Sequence, residues 1–114
     1  MKNEEYNENL DILKGELEKR LVTDAALWQQ LAEEALELAH ACLKMARKLT
    51  DEDSTPARFI DLKGHAEEEA ADVKVCMDLM FRKQDLDKFC VDAVQEYKLK
   101  RWLERLGLKG EQNE

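Results

Sequence analysis

The sequence has little of what breaks a helix: one proline and four glycines in 114 residues. With 39% charged residues and no convincing apolar alternation, that scarcity excludes a sheet protein and points to an all-α chain with few turns. No run is long and apolar enough to span a bilayer. The opening MKNEEYNENL lacks the basic start and apolar stretch of a signal peptide, so a soluble, cytoplasmic protein with no membrane partner is expected. A formal charge of -8 removes any general attraction to a nucleic acid polymer, and it means that an anionic ligand needs a local cation. Cysteine is scarce too. Cys42, Cys76 and Cys90 form no C-x-x-C pair and have no histidines at zinc spacing; each lies on an apolar stripe and reads as a small buried hydrophobe.

What the chain does have is helical periodicity. Residues 1–114 read as one domain with a four-helix-type bundle architecture. Tyr6, Leu10, Leu13, Leu17 and Leu21 predict an amphipathic helix over about 5–22, and Thr23 or Asp24 is positioned to cap the next. The second helix, about 24–49, has Leu27, Leu31, Ala35, Leu38, Cys42, Met45 and Leu49 as its seam. Trp28, Ala32, Leu36, Ala39, Leu43 and Ala46 widen its apolar surface beyond one neighbour, which predicts a subunit interface in a homodimer or homotetramer. TDEDSTPAR is a loop, with Pro56 suited to the first turn of a third helix that Gly64 weakens until about His65 and that runs to Arg82. A fourth helix, about 85–106, presents Leu86, Cys90, Val94 and Tyr97 inward and stops at Gly107, leaving 107–114 as a flexible tail.

Acids interrupt these greasy stripes. In AEEALEL, Glu34 and Glu37 project from one side and Glu34 borders the seam beside Leu31 and Leu38. In AEEEAADVKVC, Glu69 and Asp72 share a stripe with Cys76, Leu79 and Met80. If the two helices pack through their apolar faces, four carboxylates meet and repel one another unless a cation lies between them. Hard oxygens with no nearby thiolate favour Mg²⁺ or Mn²⁺. On the last helix, Lys98 and Arg101 continue the inward stripe, an arrangement suited to a polyphosphate. Single acid pairs at this spacing are common on solvated faces; two pairs, one inside an apolar stripe, are not. Glu37-Leu-Ala-His40 also has the E-x-x-H spacing of di-iron bundles. Such a site needs two of these motifs, and Leu62 stands where the acid partner of His65 belongs, so His40 is read as an edge residue and His65 as a helix-start residue.

Glu33-Glu34-Ala35-Leu36-Glu37 followed by Glu69-Ala70-Ala71-Asp72 resembles the E-E-x-x-E and E-x-x-D pair of the MazG-like all-α nucleoside triphosphate pyrophosphohydrolases. The likeness runs from Trp28 to Leu106 through WQQLAEEALELAHACLKMARKL, EEEAADVKVCMDLM and YKLKRWLERL, with a longer separation between the motifs than the family pattern has. The resemblance implies catalytic helices within 24–106 that cleave a nucleoside triphosphate or related nucleotide to monophosphate and pyrophosphate, in a dimer or tetramer. It implies Glu34, Glu37, Glu69 and Asp72 as metal ligands, Glu33 as the group that orients or deprotonates water, and Lys98 and Arg101 as phosphate contacts. Trp28 leads Phe59 and Trp102 as a candidate for stacking on the base, against a plainer packing role for each. The alternative is a helical oligomer without chemistry, a scaffold or regulator that binds neither metal nor nucleotide.

Overall fold

In the computed structural model, residues 4–50 and 57–108 are described. They form four α-helices and no strand: α1 (Glu4–Lys19), α2 (Asp24–Thr50), α3 (Phe59–Lys83) and α4 (Lys88–Arg105). None of these helices is long and apolar enough to cross a membrane. Most of the TDEDSTPAR stretch, Pro56 included, and the GEQNE tail lie outside the described residues.

Local chemistry sets the helix ends. Thr23, not Asp24, caps α2: its Oγ1 accepts from the Ala26 N–H at 3.1 Å. α3 begins at Phe59 and runs unbroken through Gly64, so His65 lies inside the helix rather than at its start. Burial of Leu62 in the first turn and the Arg58–Asp61 ion pair at 3.1 Å hold the segment ahead of the glycine. α1, α3 and α4 close with one motif, in which a residue at positive φ follows the helix and two N–H groups reach back to its last carbonyls. In α1 that residue is Leu21 (φ 58), with the Val22 N–H on Leu17 O at 3.1 Å. In α3 it is Gln84 (φ 68), with the Asp85 N–H on Met80 O at 2.9 Å. In α4 it is Gly107 (φ 73), with the Leu108 N–H on Leu103 O at 3.0 Å. Because Gln84 and Asp85 are used in closing α3, α4 starts later than 85, with the Asp87 carboxylate accepting from the Cys90 N–H at 3.2 Å.

α2 and α3 form an antiparallel pair, the largest contact in the molecule. The more buried positions of α2 are Leu27, Leu31, Glu34, Leu38, Ala41, Met45 and Lys48; on α3, within a wider shielded surface that also takes in Ala70, Met77, Asp78, Leu79, Phe81 and Arg82, one line runs through Leu62, Ala66, Glu69, Val73, Cys76, Met80 and Lys83. Both sets step by four and three residues in turn, the repeat that keeps two helices in register along a shared seam. The seam of α2 is thus displaced from the expected one: Ala35, Cys42 and Leu49 face solvent, and Glu34, Ala41 and Lys48 take their places. At the end of the pair, Lys83 Nζ lies 3.1 Å from Asp24 and 3.6 Å from Asp85. The hydrogen bond to Asp24 holds its ammonium above the usual lysine range, against the opposing effect of burial.

α1 lies against α3, where Leu10, Leu27 and Leu79 form a small core with Tyr6, Leu17 and Val22 around it. Polar ties reinforce it: the Tyr6 hydroxyl donates to Asp78 at 2.7 Å, and Arg82 reaches Asn7 at 3.0 Å and Asp11 at 3.3 Å. α4 stands off. It has no buried residue, and Cys90, Val94 and Tyr97, expected to face inward, are exposed. Its start touches the rest through Lys88, whose ammonium lies 5.9 Å from the centre of the Phe81 ring. The radius of gyration, 18.3 Å, therefore exceeds the roughly 13 Å of a compact domain this size.

Candidate metal centre

The acids that interrupt the stripes are seam residues. Glu34 occupies a seam position of α2, Glu69 one of α3, and Glu37 stands one turn on from Glu34 at the border of the same contact. Antiparallel packing brings one carboxylate oxygen from each of Glu34, Glu37 and Glu69 within 4.8 Å of the others. Glu34 Oε2 accepts from Gln30 Nε2 at 2.6 Å, and Glu69 Oε2 lies 3.8 Å from His65 Nε2. The second oxygen of each, Glu34 Oε1 and Glu69 Oε1, is buried and accepts no hydrogen bond. Buried carboxylate oxygens left without donors, beside a third acid, are costly unless a cation joins them.

The donor set fits a hard divalent cation. All three converging groups are carboxylates, and the thiol of Cys76, the neighbouring seam residue, is pushed up, first by burial and then by the charges of Glu34 and Asp72. Cys76 is not among the residues whose donor atoms converge, so the trio itself offers no soft ligand to favour zinc or copper. Mg²⁺ or Mn²⁺ suits what remains.

Other expected site residues are placed differently. Asp72 is exposed on the flank of α3, outside the trio, because the seam passes through Glu69, Val73 and Cys76 and leaves position 72 to one side, about 60° from Glu69 and about 100° from Val73. The Cys76 thiol feels the charge of Asp72 as well as that of Glu34. Glu33 is exposed beside Glu34, and Trp28 is half exposed near the start of α2. Lys98 and Arg101 are exposed on α4, where Lys98 lines a surface groove with Trp102, Arg105 and Leu106, none of them from α2 or α3. Within one chain, the expected cations and the acid trio are not brought together. Of the three cysteines, all free, Cys42 and Cys90 are exposed rather than buried.

One grouping is not legible in the sequence: Glu37 and Glu69 share with His40, Ala41, Lys44 and His65 the lining of an open cavity of about 260 Å³ at the α2–α3 contact. The available signal was the spacing: His40 and Lys44 stand three and seven residues after Glu37, and His65 four before Glu69, so antiparallel packing stacks them on one side of the acids. Comparison with known proteins finds no family model, no curated protein and no solved structure that matches the chain.

Proposed function

We propose that the chain is a Mg²⁺-dependent nucleotide pyrophosphohydrolase of MazG-like type, which cleaves a nucleoside triphosphate to monophosphate and pyrophosphate and so removes unwanted nucleotides. The observation that carries this reading is the trio of Glu34, Glu37 and Glu69, with two buried oxygens lacking donors, gathered where α2 and α3 pack together. Such a seam position weakens packing and is retained where it serves a ligand. Glu34, Glu37 and Glu69 would hold the metal, with Asp72 as an outer ligand. Bound Mg²⁺ would neutralise phosphate charge and acidify a water. Glu33, exposed next to the trio, is assigned to orienting that water, and Trp28 to stacking on the base. With this activity goes a cytoplasmic location, where free nucleotide pools lie.

The reading includes a homodimer or homotetramer. Trp28, Ala32, Ala35, Ala39, Cys42, Ala46 and Leu49 form a second stripe along α2 with the same four-and-three spacing as the buried seam, and all seven are exposed. Small residues at that repeat suit the close approach of another helix. In such an assembly Lys98 and Arg101 would act on phosphate from a neighbouring copy.

The test is pyrophosphate release across standard and modified nucleotides with Mg²⁺ or Mn²⁺. Turnover is expected for at least one nucleotide, and Glu37→Gln is expected to lower it at least 100-fold with helicity unchanged. Full activity in that variant would remove the proposed ligand set. The second reading, a scaffold without chemistry, is favoured by the separation of α4 and its cations from the acids. Calorimetric titration with Mg²⁺ and a non-hydrolysable nucleotide distinguishes the two: a scaffold gives no saturable heat.

A further inference from the structure

The cavity beside the acid trio is lined with both signs of charge. Ala41, buried at 3% exposure, lines its inner side. Around it stand Glu37 and Glu69, which belong to the trio, and His40, Lys44 and His65, which do not. A site built only for a bare cation gains nothing from an ammonium in the same cavity, because Lys44 repels the ion. A site for a metal-bound anion needs both: carboxylates for the metal, and N–H donors one or two turns away for the oxygens that the metal leaves free.

The order along the helices is directional. From Glu34 and Glu37, α2 proceeds to His40 and then Lys44, about 10 Å of helix from Glu37 to Lys44 at the usual rise. α3, running the other way, places His65 one turn beyond Glu69 toward the same end. The donors therefore form a track leading from the acids toward the α2–α3 connection. Lys98 and Arg101 lie on α4 and take no part in this cavity.

We infer that His40, Lys44 and His65 form a phosphate-binding track that holds the distal phosphoryl groups of a polyphosphate whose other oxygens share the metal of the Glu34–Glu37–Glu69 trio. This rests on the metal reading given above. It adds that the phosphate chain points along the helix pair, and that N–H donors from α2 and α3 of the same chain grip its distal end, beside any contact that Lys98 and Arg101 of a neighbouring copy make.

The experiment is calorimetric titration of the full chain, first with Mg²⁺ alone and then with inorganic tripolyphosphate or a non-hydrolysable nucleoside triphosphate in saturating Mg²⁺. Lys44 is exposed, so Lys44→Gln is expected to leave helicity unchanged, and by removing a repelling charge it is expected to keep or slightly raise Mg²⁺ affinity. Affinity for both anions is expected to fall about tenfold, with Lys44→Arg recovering most of it and His40→Ala adding a further loss. A fall for tripolyphosphate alone would still support the track and assign it to free polyphosphate rather than to a nucleotide tail. Unchanged anion affinity in Lys44→Gln and His40→Ala, with Mg²⁺ binding intact, overturns the track and leaves the metal site standing. Absence of Mg²⁺ binding in the unmodified protein overturns the metal site and the track with it.

Discussion

α2 and α4 are both amphipathic by spacing, and they meet opposite fates. α2 finds a complementary seam in α3 and buries Leu27 and Ala41, whereas α4 has no buried residue and leaves Phe89, Val94, Tyr97 and Trp102 in solvent. Apolar periodicity specifies a face; whether the cover comes from the same chain depends on a second sequence of matching repeat and length. The strongest test of the contrast is a pair of truncations. Met80→Ala, at a seam position 1% exposed, is expected to cost about 2–5 kcal/mol in urea unfolding. Phe89→Ala, at a position 89% exposed, is expected to stay within about 0.5 kcal/mol at low protein concentration. Equal losses would mean that α4 is packed within the monomer and would erase the contrast.

The same difference explains what the sequence disclosed. All four helices followed from spacing, because a 3.6-residue period and scarce glycine and proline act locally. The choice of seam did not. Ala35, Cys42 and Leu49 are more apolar than Glu34, Ala41 and Lys48, yet the latter face α3, so the acids lie deeper in the contact than hydropathy alone predicts. Asp72 lies off the seam for a related reason: on a helix with Leu79 turned toward α1 and Met80 fully buried, the stripe through 72, 76 and 79 and the one through 69, 73 and 76 are close rivals. Only the partner helix decides between them. The Lys44 cavity needed the antiparallel register, which no single helix encodes.

α1 lies between the two extremes, with one buried leucine and a set of polar ties, and its weight can be read from pH. Desolvation first, then the hydrogen bond to Asp78 and its charge, push the Tyr6 phenol from its ordinary value near 10 up to about 12. A group whose folded pKa lies above its unfolded one stabilises fully below the unfolded value and loses that contribution as pH rises through the folded one. The Tyr6 contribution is thus present below about pH 10 and fades toward about pH 12. Tyr6→Phe is expected to cost about 1–2 kcal/mol at neutral pH, and the gap to the unmodified protein should narrow across that alkaline window. A gap that stays constant with pH would show that the hydroxyl is not what holds α1 down.

The smallest effect discriminates most finely between packed and unpacked helices. α1 and α4 end in the same motif, but α1 places Leu21 at positive φ (58°) where α4 has Gly107 (73°). A leucine pays steric strain in that conformation and glycine does not, so Leu21→Gly should be stabilising by up to about 1 kcal/mol, reduced by the extra freedom of glycine in the unfolded chain. Gly107→Ala carries the opposite sign and a similar size. Where each effect appears depends on coupling to the core. α1 is joined to Leu27 and Leu79 through Leu10, so relief at Leu21 should raise the midpoint of global unfolding. α4 is joined to nothing comparable, so Gly107→Ala should lower helical circular dichroism through fraying of its last turn and leave that midpoint where it was. A midpoint that falls with Gly107→Ala would mean that α4 unfolds together with the α2–α3 pair.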